Sequence, residues 1–126
     1  MTTADIKAIH DPDLALARAG GRADVRDGTL IGLLDLLDDP TRGGLLLDVD
    51  RYSRETAVCR EAAHRAVGVA RQAATPQLEA LLVALEEALA AGDLAAAARW
   101  GQRLPAAVEA VCTVLGGNGS SGQMSD

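Results

Sequence analysis

Residues 45–73 read LLLDVDRYSRETAVCREAAHRAVGVARQA, and small or apolar side chains recur in this stretch three and four positions apart. The recurring positions are Leu45, Val49, Tyr52, Thr56, Cys59, Ala63, Ala66, Ala70 and Ala73. This spacing places them on one face of an α-helix, as in helices that pack side by side. The stretch therefore predicts one long helix that begins near Leu45 and turns its small residues toward neighbouring helices.

The same spacing returns near the end of the chain, at Leu94, Ala97, Gly101, Leu104, Val108, Val111 and Leu115. Between the two stretches, Thr75-Pro76 has the form of a helix start, and Gly92-Asp93 ends that helix and caps the next one. The intervening helix is rich in leucine. Pro105 falls inside the last predicted helix, where its ring would clash with the carbonyl of Gly101, so we expect a kink there.

Shorter helices are predicted before residue 45. Asp11-Pro12 begins one of them, and Gly20-Gly21 ends it. Residues 20–28 are polar and indicate a loop, after which Thr29 caps a second short helix that Asp38-Asp39-Pro40 terminates. Residues 41–44 then form a turn.

These elements predict an all-α fold, an antiparallel bundle of about three long helices with one or two short helices before them. We expect a single domain over residues 1–115 and a flexible Gly/Ser-rich tail over residues 116–126. Aromatic residues make up only 2% of the chain, with no Phe. A small core built mainly from alanine and leucine gains little burial energy, and sharing it with a second chain is a common remedy. The sequence thus favours an oligomer.

Charge and hydropathy exclude several classes of protein. The net charge of −6 and the pI of about 4.8 do not suit nucleic-acid binding, which needs a basic surface. The sequence contains no apolar stretch near the length of a membrane span, and residues 1–10 do not resemble a secretory signal. Cys59 and Cys112 fall on or beside the apolar faces, so we expect buried, reduced thiols and a cytoplasmic protein.

The clearest chemical motif is Glu61-Ala62-Ala63-His64. Its Glu-x-x-His spacing resembles the ligand pairs of ferritin-like di-iron bundles. One chain supplies one such motif, so a metal site would need a dimer, with Glu79, Glu86 or Glu109 as further ligands. At about 100° per residue, however, Glu61 and His64 lie far from the buried face, which favours a solvated surface and no bound cofactor.

Three basic residues, Arg60, His64 and Arg71, lie along one flank of the same helix and are candidates for contact with an anionic ligand or an acidic partner. The alternative is ordinary pairing between residues four apart, such as Asp50 with Arg54 and Glu61 with Arg65. Trp100, the only tryptophan, is either a core residue or an anchor at an interface.

The sequence contains no Gly-rich phosphate loop and no Gly-x-Ser-x-Gly elbow. It therefore favours a non-enzymatic module that acts by binding protein, as an accessory subunit, assembly factor or regulator. A second hypothesis is a bundle that binds a ligand or a metal around Glu61 and His64 in a dimer. A helical enzyme would require Arg60, His64 and a carboxylate such as Glu61 to line one cleft.

Overall fold

The structure is a computed structural model and describes residues 2–38 and 44–119. Over these residues the fold is all-α, with no strand. The helices in chain order are α1 (Thr3–Ile9), α2 (Pro12–Arg18), α3 (Ala23–Asp38), a 3-10 turn (Gly44–Leu47), α4 (Arg51–Arg54), α5 (Thr56–Gln72), α6 (Pro76–Ala90), α7 (Leu94–Gly101) and α8 (Leu104–Gly119). In the described part of the chain, no helix has the length and apolar character needed to cross a membrane.

The pair α5–α6 forms the centre of the fold. The inward face of α5 is built from Cys59, Ala63, Ala66 and Ala70, all fully buried, as the spacing predicts. The facing side of α6 contributes leucines, which are also buried: Leu78, Leu82, Leu85 and Leu89. Small side chains on one helix leave room for large ones on the other, so the two helices pack closely along their length.

The turn between α5 and α6 is tight. Thr75 precedes Pro76, but its hydroxyl donates to the carbonyl of Ala70 at 3.1 Å and makes no capping bond to α6. Ala74 has a left-handed backbone with φ of 53°, and its carbonyl accepts from the Asp11 amide at 2.9 Å. The start of α2 is therefore fixed to this turn.

The predicted start of the long helix at Leu45 is wrong. The chain forms a 3-10 turn at Gly44–Leu47 and the single helical turn α4, and α5 begins only at Thr56. Two local bonds explain the interruption. The Asp50 amide donates to Asp48 Oδ1, and the Tyr52 hydroxyl donates to the Leu46 carbonyl at 2.5 Å. The second bond folds six residues back on themselves, which a continuous helix does not allow.

The predicted kink in the last helix is also wrong, because two helices stand where one was expected. α7 ends at Gly101 and α8 begins at Leu104, which puts Pro105 in the first turn of α8, where a proline is tolerated. Gly101 has a different role from the one predicted. A Cβ at this position would lie 2.3 Å from the Tyr52 hydroxyl oxygen, so only glycine allows the Tyr52 ring to pack against α7.

The N-terminal half follows the prediction in part. Asp11 caps α2, accepting from the Leu14 amide at 3.1 Å, and Gly20 and Gly21 end it with positive φ. The loop predicted over residues 20–28 is wrong, because α3 begins at Ala23. Thr29 lies inside α3 and donates to the Val25 carbonyl, so it is not a cap. α1 was not predicted from the sequence. It begins at a capping box formed by Thr2 and Asp5.

α8 continues to Gly119, beyond the predicted end at Leu115. A glycine at a helix end costs about 1 kcal/mol relative to alanine, which a helix already formed can absorb. The rest of the predicted tail, residues 120–126, lies outside the described residues, as does most of the turn predicted at residues 41–44.

Candidate functional site

The outward face of α5 carries the charged residues named by the sequence. Cys59, Ala63 and Ala66 are buried on the opposite face of the helix. Glu61 and His64 consequently point to solvent, with side chains 76% and 77% exposed. The predicted outward position of these two residues is therefore confirmed.

This exposed face nevertheless borders a cleft of about 490 Å³ between α5 and α6. Its lining is Ala57, Arg60, Glu61, His64 and Glu86. His64 Nδ1 lies 2.8 Å from Glu86 Oε2, and the Glu86 side chain is only 27% exposed. A carboxylate in this position accepts from Nδ1–H and fixes the orientation of the imidazole ring.

The charges around the cleft are mostly paired. Glu61 Oε1 lies 3.6 Å from the guanidinium of Arg65, one of the two pairings expected between residues four apart. Glu86 is engaged by His64. Arg60 has neither an ion pair nor a hydrogen bond to any residue in the described ranges, and it is exposed. Its guanidinium is the uncommitted cation of the cleft.

Arg71 does not belong to this cleft. Its Nε donates to Glu79 Oε2 at 2.9 Å, and its carbonyl accepts a hydrogen bond from Arg18. Seven residues separate it from His64, which is about 10 Å along a helix. Because Arg71 joins α5 to both α6 and α2, its contacts are those of a residue that holds helices together.

No group of three or more His, Cys, Asp or Glu side chains in the described part of the chain is arranged to hold a metal ion. Glu61 and His64 are each drawn toward a different neighbour, Arg65 and Glu86. A metal at this motif would need ligands from a second chain, so it stays a hypothesis.

Trp100 is partly buried and packs against the core. The guanidinium carbon of Arg103 lies 5.0 Å from the centre of its ring, a cation–π arrangement. Arg103 thus covers part of the ring, and Trp100 contributes to both the core and the surface beside the α7–α8 junction.

A second surface, on α8, was not identified from the sequence. Between Leu104 and Gly119 the chain has one charged residue, Glu109. A groove of about 280 Å³ lies between α8 and α1, and its lining is Ile9, Ala106, Glu109, Ala110, Thr113 and Val114. The sparse charge of residues 104–119 was the signal that could have revealed this surface.

Cys112 also lies on α8 and is exposed, so the prediction that both thiols are buried is wrong for this one. The buried stripe of α8 is narrow: Leu104 and Val111 are fully buried, whereas Cys112, about 100° further round the helix, is not. Cys59 is buried as expected, and burial raises the pKa of its thiol.

His10, at the end of α1, is a buried polar residue that the sequence analysis did not single out. It is 4% exposed, and neither ring nitrogen has a hydrogen-bond partner among the residues that the structure describes. Burial lowers the pKa of His10, and the positive charge of Arg26 lowers it further, against smaller opposite effects of Asp11 and Asp27. The folded protein therefore favours the neutral imidazole.

Comparison of the chain with protein-family models, with curated protein sequences and with solved structures finds no match.

Proposed function

We propose that the chain is a small protein-interaction module of the cytoplasm, an antiparallel helical bundle that serves as an accessory subunit, assembly factor or regulator. Its contact surface is the outer face of α8 together with the adjoining groove at α1, which we call the α8 surface. The observation that carries this proposal is the single charge in α8, at Glu109, although much of the helix is exposed.

A helix that faces water normally carries charged residues on its outer side. In this chain 24% of residues are charged, yet α8 has only Glu109. Exposed or partly exposed positions are instead occupied by Ala106, Ala110, Cys112 and Thr113. Such a face is suited to a partner helix, since residues of this size permit close approach.

We propose that a second copy of this chain binds to the α8 surface, so that the protein forms a homodimer. The chain carries a net charge of −6, so two copies repel each other over most of their surface. The α8 surface carries one negative charge, at Glu109, and so adds little to this repulsion. A shared core would also supplement one built from many alanines and few aromatic residues. Trp100, partly buried and close to the α7–α8 junction, would extend the contact.

Placing a charge on the α8 surface tests this proposal. Thr113→Arg should convert a dimer into a monomer, because its long side chain would prevent close approach of the two α8 helices. A pair with Glu109, four residues earlier, would have to be removed from water together with the guanidinium, at a cost in free energy. Ala80→Arg is the matched control, since Ala80 is also exposed on a helix but lies on α6. Molar mass from light scattering over a concentration series distinguishes the two variants, and circular dichroism checks their fold.

Cys112 gives an independent measurement, because Cys59, the other cysteine, is buried. Dimer formation should slow the reaction of Cys112 with a maleimide, and Thr113→Arg should restore the rate. A wild-type protein that stays monomeric at all concentrations would contradict the homodimer. Equal masses for both arginine variants and the wild type would remove the α8 surface as the interface.

A further inference from the structure

We propose that the cleft between α5 and α6 binds the oxyanion head group of a small organic phosphate or carboxylate, with Arg60 and His64 as the donors. This site is separate from the α8 surface, and it does not depend on the function proposed above.

The first argument for an anion site is that Arg60 has no ionic partner in the described part of the chain. The other two polar groups close to it on α5 each have a partner: Glu61 pairs with Arg65, and His64 Nδ1 lies at hydrogen-bond distance from Glu86. Arg60 has none within the described ranges. A guanidinium presents five N–H donors in a planar fork that matches a carboxylate or a phosphate, and here that fork lines a cleft.

The geometry of His64 is the second reason. Arg60 and His64 are four residues apart on one helix, so their side chains are neighbours on its surface. The contact of Nδ1 with Glu86 at 2.8 Å holds the ring in place and leaves Nε2 as the other hydrogen-bonding atom. In the imidazolium form Nε2–H is a second donor beside Arg60.

The electrostatics permit an anion here despite two carboxylates in the lining. Glu61 is paired with Arg65, and the Arg60 guanidinium is the uncommitted positive charge of the lining. Both carboxylates are also engaged by cationic or N–H partners, at 3.6 Å for Glu61 and 2.8 Å for Glu86. An incoming anion would therefore meet the donors of Arg60 and His64.

The size of the cleft indicates a small molecule. Its volume of about 490 Å³ lies within the usual range of small-ligand sites, roughly 300–1,000 Å³. Among the described residues of the lining, Ala57 has the only apolar side chain, so the specificity would come chiefly from the head group.

Phenyl phosphate and benzoate test the proposal, because they share a ring and differ in the head group. Each is titrated at constant ionic strength while the histidine ring signals are followed by NMR. The chain has two histidines, and the buried His10 serves as an internal reference. We expect a saturable shift of the His64 signals with at least one ligand, and no comparable shift for His10.

Arg60→Gln should weaken the observed binding by about tenfold or more, because a hydrogen bond to a charged group is lost. Arg99→Gln is the matched control, since Arg99 is exposed on α7 and outside the cleft. Response to phenyl phosphate alone, to benzoate alone or to both identifies the head group. No saturable response to either ligand, or equal weakening by the two substitutions, would overturn the proposal.

Discussion

α5 and α8 are both helices with many small residues, but they differ in what lies opposite the buried side. The outer face of α5 carries Arg60, Glu61, His64 and Arg65, whereas α8 carries only Glu109. α5 packs on α6 and α3, whereas α8 contacts chiefly α1 and α6 and keeps an exposed outer face of mostly small, uncharged residues. Similar composition therefore produces one helix with a charged outer face and one whose outer face carries a single charge, the surface that we propose as the dimer contact.

The strongest test of the internal packing is at Gly101. Gly101→Ala should destabilise the fold by about 3 kcal/mol, because the new Cβ would overlap the Tyr52 ring, which its bond to Leu46 holds in place. Chemical denaturation measures the change. Gly68→Ala is the matched control on α5: nothing lies within 4 Å of a Cβ there, so it should stabilise by about 0.5–1 kcal/mol. Equal effects would show that Tyr52 does not pack on α7.

A leucine substitution on each helix tests the difference in packing between α5 and α8. Ala66→Leu should destabilise by about 1–3 kcal/mol, because Ala66 is fully buried between helices. Cys112→Leu should change the free energy of unfolding of the monomer by less than about 0.5 kcal/mol, because this position is exposed. Denaturation of both variants decides the point. If Ala66→Leu were neutral, α5 would not be the tightly packed helix.

His10 predicts a dependence of stability on pH. Its pKa is lowered in the folded state, so between that value and the unfolded value of about 6.5 the unfolded chain binds more protons. The free energy of unfolding should therefore be highest above this window and fall as the pH is lowered through it. Arg26, Asp11 and Asp27 are the charged groups that act on His10.

Denaturation at a series of pH values measures this effect in the wild type and in His10→Leu, which should lose most of the decrease. His64→Gln is the control, because His64 is exposed and should leave the decrease in place. A decrease of the same size in His10→Leu would assign the pH dependence to other groups.

Of these substitutions, Glu61→Ala should have the smallest effect on the free energy of unfolding. The pair of Glu61 with Arg65 is exposed and 3.6 Å long, so Glu61→Ala should cost less than about 0.5 kcal/mol. The same variant tests the metal hypothesis by elemental analysis. Stoichiometric iron in the wild type that is lost in Glu61→Ala would establish a metal site on α5 and contradict a purely solvated motif.

The sequence predicted best what depends on neighbours along the chain. The buried face of α5, the leucines of α6, and the caps at Asp11 and Asp93 all follow from local spacing or from one turn of helix. Contacts between distant segments were not predictable in this way. The approach of Gly101 to Tyr52 depends on how α7 docks, and no periodicity encodes it.

The candidate cleft illustrates the same division. The spacing of Arg60, Glu61 and His64 placed them correctly on the outer face of α5. Glu86 was one of three carboxylates named as possible metal ligands in a dimer, but its contact with His64 within one chain depends on the register of α5 against α6, which spacing does not specify. The position of Cys112 was wrong because the width of the buried stripe on α8 depends on how many helices cover it, which spacing does not specify.

The contact between Tyr52 and Gly101 has a practical consequence. The chain has one tyrosine and one tryptophan, and the tryptophan, Trp100, is the residue next to Gly101. Light absorbed by the tyrosine should therefore be emitted by the tryptophan whenever α4 and α7 are docked. Energy transfer from Tyr52 to Trp100 thus reports on this contact in the native protein without an added dye.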